Sequence, residues 1–118
     1  MRALNRDRGI ELARSVRKAD TFWKRLRGLR GRPALPPGEG LWIVPCRGVH
    51  TRGMAFSIDV LFLDAAGRVL SLEEDLEPGR FPPIRWRART VLELPPGTVR
   101  DSSTKVGDRI DFDATEES

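Results

Sequence analysis

Five residues within a fourteen-residue span, Cys46, His50, Thr51, Met54 and Asp59, bring together a thiol, an imidazole, a hydroxyl, a thioether and a carboxylate. Three chemistries compete for them. Cys46, His50 and Met54 are the soft and borderline donors that select Cu(I). A blue-copper centre needs two histidines and the chain has one, so only a Cu(I)-type site is open. Alternatively, Cys46 could serve as a nucleophile with His50 as its base and Asp59 as the carboxylate that orients the imidazole. No cysteine-hydrolase signature surrounds Cys46, and four residues of separation do not establish contact. The third reading is structural and carries the most weight. Asp59 lies inside an apolar run, and a buried carboxylate costs several kcal/mol unless it is hydrogen-bonded. Thr51, His50 or the amides of residues 49–54 would satisfy it, with Cys46 and Met54 as packing residues. A ligand pocket using His50, Thr51, Met54, Asp59 and Glu93 for recognition is the functional counterpart of that reading.

The remaining polar candidates are plainer. Asp64 precedes Ala65-Ala66-Gly67 and Asp108 follows Gly107, so both read as turn acids. Glu93 sits between Leu92 and Leu94, either facing solvent from a strand or serving as a pocket acid. No two acids fall on matched strand ends as a glycosidase would need. Trp42 and Trp86 read as core residues, with ligand stacking as the alternative.

The elements that must hold these residues are mostly strands. Ile10, Leu12, Arg14 and Val16 approach period two and predict one strand over residues 9–18. Asp20 or Thr21 offers an N-cap, and Phe22, Leu26 and Leu29 follow at helical spacing. They predict a short amphipathic helix with its basic residues outward, stopped by Gly31 and Pro33. Residues 40–44 read as a buried strand and residues 46–54 as irregular. Residues 55–64 form the strongest strand, with Ile58, Val60 and Phe62 on one face and Leu61 and Leu63 on the other, so it belongs inside a sheet. A short hairpin loop leads into a returning strand over 68–72. Residues 73–83 read as a surface loop, residues 90–94 and 109–112 as strands, and residues 99–104 as a connection or a single helical turn. Short strands separated by Gly/Pro turns predict a mainly β protein, α+β at most: an antiparallel β-sandwich or open barrel with one short helix near the N-terminus. The chain reads as one domain over 1–118, with 114–118 a frayed tail.

Composition excludes more than it suggests. With one Cys the 118-residue chain has no intrachain disulfide, and with one His it has no two-histidine zinc site. No apolar run approaches the roughly 20 residues of a membrane helix, and the charged N-terminal residues have no apolar stretch behind them, so the expected compartment is the cytoplasm. Charge is uneven: residues 1–57 carry a net +9 and residues 58–118 a net −5. The densest basic stretch, residues 24–32, could contact nucleic acid or anionic lipid. The plainer reading is a solvated helix face in a chain with 18 Arg and 3 Lys.

Seven phrases occur in a recognisable order. They are Thr21 through Gly28-Leu29 and Gly31-Arg32; Gly40-Leu41; Val49-His50-Thr51 with Met54; Ile58-Asp59-Val60 through Phe62-Leu63-Asp64; Gly67-Arg68-Val69; Val91-Leu92-Glu93-Leu94-Pro95 with Gly97; and Val106-Gly107-Asp108. Over residues 9–113 the chain resembles the domain of unknown function 192 family, a group of small prokaryotic proteins, in the branch with a Cys, then His-Thr, then Met. The resemblance implies a compact, sandwich-like β-rich fold with short helical insertions and no established activity. Arg30 departs from the apolar residue many relatives carry after Gly-Leu, which argues against hydrophobic docking at that helix end.

The expected role is thus a small soluble noncatalytic binding or accessory domain of unknown biochemical function. The alternatives are an enzyme built on Cys46 and His50 or a weak nucleic-acid or anionic-surface binder through residues 24–32. No cofactor is implied, and neither membrane insertion nor sequence-specific nucleic-acid recognition is expected.

Overall fold

The computed structural model describes residues 1–114, so residues 115–118 of the expected tail lie outside the described residues. The described residues form eight strands and two short helices. The chain is mainly β, as the spacing of apolar residues and turns predicts. In chain order these are β1 (Arg2–Asn5), β2 (Ile10–Ala13), β3 (Ser15–Ala19), α1 (Phe22–Arg27), β4 (Glu39–Ile43), β5 (Ile58–Leu63), β6 (Val69–Leu76), β7 (Thr90–Leu94), α2 (Thr98–Ser102) and β8 (Ile110–Asp113). A five-stranded sheet in the order β3-β4-β7-β5-β6 packs one face on a three-stranded sheet in the order β2-β1-β8.

The single strand expected over 9–18 is two strands in different sheets. β2 pairs with β1, β3 pairs with β4, and the chain crosses from one sheet to the other at Arg14. Period two persists through such a crossing, so alternation alone does not reveal it. β1 is a further strand in a charged segment that carries no strand signal. Its outer residues Arg2 and Leu4 flank Ala3, which is fully buried. The β3–β4 pair is parallel, the one exception to an otherwise antiparallel arrangement among the described strands. β6 extends through Leu76, so residues 73–76, expected as loop, are strand.

β5 lies inside the sheet, between β7 and β6, and all six of its residues are buried. Its two apolar faces serve two cores. Ile58, Val60 and Phe62 join Leu41, Ile43, Val91, Leu29 and Met54, whereas Leu61 and Leu63 join Leu92, Leu94, Val99 and the three-stranded sheet. The second core is closed by strands and by α2. The first is closed by Leu29 and Leu35, which follow α1, and by long irregular segments, residues 44–57 and 77–89. That difference positions the site.

Gly67 shows how tightly the hairpin after β5 meets β8. Its φ is +84°, and a Cβ there would stand 2.6 Å from the Ile110 carbonyl oxygen, so only glycine fits.

Candidate functional site

The irregular cover over the first core is held by identifiable bonds. Thr51 is fully buried; its hydroxyl donates to the Glu77 carbonyl at 2.6 Å and accepts from the Arg80 amide at 2.8 Å. Two backbone bonds, from Thr51 to Arg80 and from Gly79 to Thr51, complete the clasp between residues 51 and 77–80. Arg85 fastens the next stretch. Its guanidinium lies 2.7 Å from Glu73, donates to the Ser71 hydroxyl at 3.0 Å and stacks over the Phe62 ring. Backbone bonds from Cys46 to Arg89 and from Arg85 to Arg47 join the two segments side by side.

Two cavities open on either side of the wall formed by Pro45, Cys46, Gly48, Val49 and His50. One, of about 820 Å³, is lined on its far side by Phe81, Ile84, Trp86 and Arg89. The other, of about 190 Å³, runs under the end of α1 and is lined by Leu26, Arg27, Leu29, Ile43, Met54 and Glu93.

Glu93 is the unusual group. It stands in β7 opposite Leu41 of β4 and Val60 of β5, and so shares their apolar face. The residue is 4% exposed, and no hydrogen bond or ion pair reaches its carboxyl group among the described residues. Burial pushes its pKa up to about 7, because the apolar surroundings penalise the charged form. Of the two readings open to it, solvent-facing strand charge or pocket acid, the second describes its position.

Cys46 and His50 share both cavities. They are not paired: the Cys46 thiol donates to the Gly48 carbonyl at 2.9 Å, and the His50 ring stacks on Phe81 at 5.4 Å between centroids. Burial, with a smaller contribution from the Glu93 charge, raises the Cys46 pKa and keeps the sulfur protonated. Cys46, His50 and Met54, the soft donor set, line the smaller cavity together.

Asp59 corrects the sequence reading. It is fully buried, as expected, but its partners are not in residues 49–54. One carboxylate oxygen accepts from the Asp75 amide and the other from the Val99 amide, both at 2.8 Å. The physical reason is strand alternation. Asp59 faces the Leu61 and Leu63 side of β5, opposite to the cavities, where it serves the open amides at the start of α2 and a bulge in β6 at which Asp75 has φ +51°. Asp59 and Thr51 are therefore fastenings, while His50, Met54 and Glu93 line the cavity beside Cys46.

α1 also departs from expectation. Thr21 caps it, accepting from the Lys24 amide at 3.2 Å, but none of its residues is buried. Phe22, Trp23 and Leu26 point to solvent, and only Leu29, beyond the helix end, reaches the core. Trp86, expected in the core, is 75% exposed, whereas Trp42 packs against the second core and stacks on Phe112. Sequence reasoning missed the aromatic wall of residues 81–86. Its signal was three large apolar residues in a Pro-rich segment too short of neighbours to bury them. Asp64 is a turn acid as expected, accepting from the Ala66 and Arg68 amides. Asp108 does more, binding Asn5, Arg8 and the Lys105 amide and so tying the first hairpin to the last turn.

Comparison with known proteins bears on this arrangement. Residues 3–112 match the model of the DUF192 family, described as uncharacterized ACR. A UPF0127 protein of Thermococcus sibiricus is 33% identical over 97% of this chain and 76% of its own length. A second, from Pyrococcus furiosus, is 34% identical over 92% of this chain and 96% of its own length. A solved structure from Sinorhizobium meliloti, described as a proposed transcription regulator, superposes with a TM-score of 0.78 at 26% identity, covering 93% of this chain and 89% of that one. A protein of unknown function from Novosphingobium aromaticivorans has the same fold, with a TM-score of 0.74 at 20% identity, over 95% and 93% of the two chains.

Proposed function

The chain belongs to the DUF192 family, whose described relatives are uncharacterised, and from that premise we propose that it is a noncatalytic binding module whose ligand sits in the cavity over Glu93. One observation carries the reading: a carboxyl group at the cavity floor, buried among apolar side chains, with no donor supplied by the described residues. The carboxyl oxygens open on the cavity, the one fully buried side-chain atom without a partner among the described residues being Trp42 Nε1, so the cost is the penalty that the apolar surroundings place on the charged form. A ligand that brings a donor offsets that cost. The preferred ligand is a small neutral organic molecule presenting an N–H or O–H donor to Glu93, because Arg25, Arg27 and Arg30 line the same cavity and repel a cation; its apolar part lies along Val49, Met54 and Ile43.

Two further observations support binding over catalysis. The Cys46 thiol is kept protonated by burial and bonded to a carbonyl, the reverse of an activated nucleophile. The His50 ring is engaged with Phe81. The lone, partly buried thiol also supports the cytoplasm as the compartment of this module.

The test is a titration of the ¹⁵N-labelled protein with propionamide, followed by amide chemical shifts. Saturable shifts at Gly48, His50 and Met54, lost in Glu93→Leu, which has no acceptor, are the expected outcome. Equal shifts in the wild type and Glu93→Leu, or none in either, would remove Glu93 as the anchor.

A further inference from the structure

Eight large apolar side chains stand exposed among the described residues, and six of them belong to two short segments: Phe22, Trp23 and Leu26 on α1, and Phe81, Ile84 and Trp86. Isolated exposed apolar residues need no explanation, but a concentration of aromatic ones does. The two segments flank one wall. Leu26 borders Pro45 and Cys46 from the smaller cavity, and Phe81, Ile84 and Trp86 border the same two residues from the larger. Leu26, Phe81, Ile84 and Trp86 thus border the cover of the first core, and Trp23, which shares a further depression with Leu26, and Phe22, packed edge-on against Trp23, adjoin them on α1.

The charge around them is predominantly basic. The segments that build this side, residues 20–58 and 77–93, contain 11 Lys and Arg against four acids, Asp20, Glu39, Glu77 and Glu93. Arg32 pairs with Glu39, Arg80 with Glu77 and Arg85 with Glu73, and the other eight have no ion pair among the described residues. Beside α1, Arg17, Lys18, Lys24 and Arg27 line a third depression of about 770 Å³ together with the Arg32–Glu39 pair.

We infer that this face docks on the surface of an anionic lipid bilayer. Trp and Phe rings settle at the boundary between headgroups and acyl chains, where an apolar body and a polar edge are both satisfied. Unpaired Arg and Lys beside them meet the lipid phosphates, whose charge is opposite. α1, six residues long with nothing buried, is too short to cross a membrane and presents its aromatic residues outward. Arg30 is exposed at the end of this segment, its guanidinium donating to the Leu26 carbonyl at 2.8 Å, and adds to the basic charge. The mouth of the Glu93 cavity opens on this face, but the docking does not depend on that cavity holding a ligand.

The experiment is partition of the full chain into phosphatidylcholine vesicles with and without about 30% phosphatidylglycerol, read by sedimentation and tryptophan emission. Binding at least about tenfold stronger to the anionic vesicles, with a blue shift of emission, is expected. The Trp23→Ser/Trp86→Ser double variant should lose about tenfold in partition while keeping its circular dichroism, because both rings are at least 74% exposed. Lys24→Glu/Arg87→Glu should weaken anionic binding similarly and leave the neutral-vesicle baseline unchanged. Three results would overturn the inference: equal partition into neutral and anionic vesicles, partition unchanged in folded Trp23→Ser/Trp86→Ser, or tighter Trp-dependent binding of a single-stranded oligonucleotide, which would make the face a nucleic-acid surface.

Discussion

Replacing Glu93 by Gln removes one titration and leaves the shape of the side chain almost unchanged. The wild-type carboxyl has a pKa of about 7 in the folded protein, against an ordinary value of 4.5. Between these values the folded state holds a proton that the unfolded state has released, so the part of wild-type stability that Glu93 supplies falls as pH rises from 4.5 to 7 and is flat above. A tenfold difference in proton affinity between the two states corresponds to about 1.4 kcal/mol, so the loss between about pH 5 and pH 8 is roughly 2–3 kcal/mol. Glu93 is too deeply buried for solvent to screen much of this. Urea unfolding of both proteins at the two pH values isolates it, because every other titrating group cancels in the comparison. The stability of Glu93→Gln relative to wild type should rise by about 2–3 kcal/mol from pH 5 to pH 8, whatever fixed cost the buried amide carries at both. A relative stability independent of pH would refute the reasoning and return Glu93 to a solvated position. Both proteins should unfold in one transition, since the second core spans both sheets.

The other predictions rest on single groups. Asp59→Asn should destabilise the fold by about 1–3 kcal/mol in urea, because an amide nitrogen would then face a backbone N–H that now finds a carboxylate oxygen; an unchanged midpoint would contradict the fastening role. Cys46 should react with a disulfide reagent near neutral pH more slowly than free cysteine, since burial raises its pKa, and faster reaction would restore the nucleophile reading. Asp108, held at about 2 by Arg8, Asn5 and the Lys105 amide, stabilises the fold above its ordinary value of 3.8. That contribution, about 1 kcal/mol after discounting for solvent screening, should vanish as pH falls from 3.8 through 2, and Asp108→Asn should flatten acid unfolding in that window alone.

Strand alternation and turn chemistry were legible in the chain itself. The two apolar faces of β5, the hairpin at residues 64–68, the strand Thr90–Leu94 and the Thr21 cap follow from local rules, because side-chain period and hydrogen-bonding habit are properties of short segments. Alternation also separates Asp59 from Ile58, Val60 and Phe62. It does not say which face a loop will cover. That was decided by tertiary register: β7 beside β5 sets Glu93 opposite Val60 and turns it toward the cavity, while the bulge in β6 and the start of α2 bring two amides to Asp59. The exposure of α1 is likewise a tertiary outcome, since helical spacing marks an apolar stripe but cannot supply the surface that would bury it. Sequence determined the kinds of groups present and the faces they share. Pairing between strands distant in the chain decided which of those faces is core and which is site, because burial is set by what packs opposite a residue and not by its neighbours in sequence.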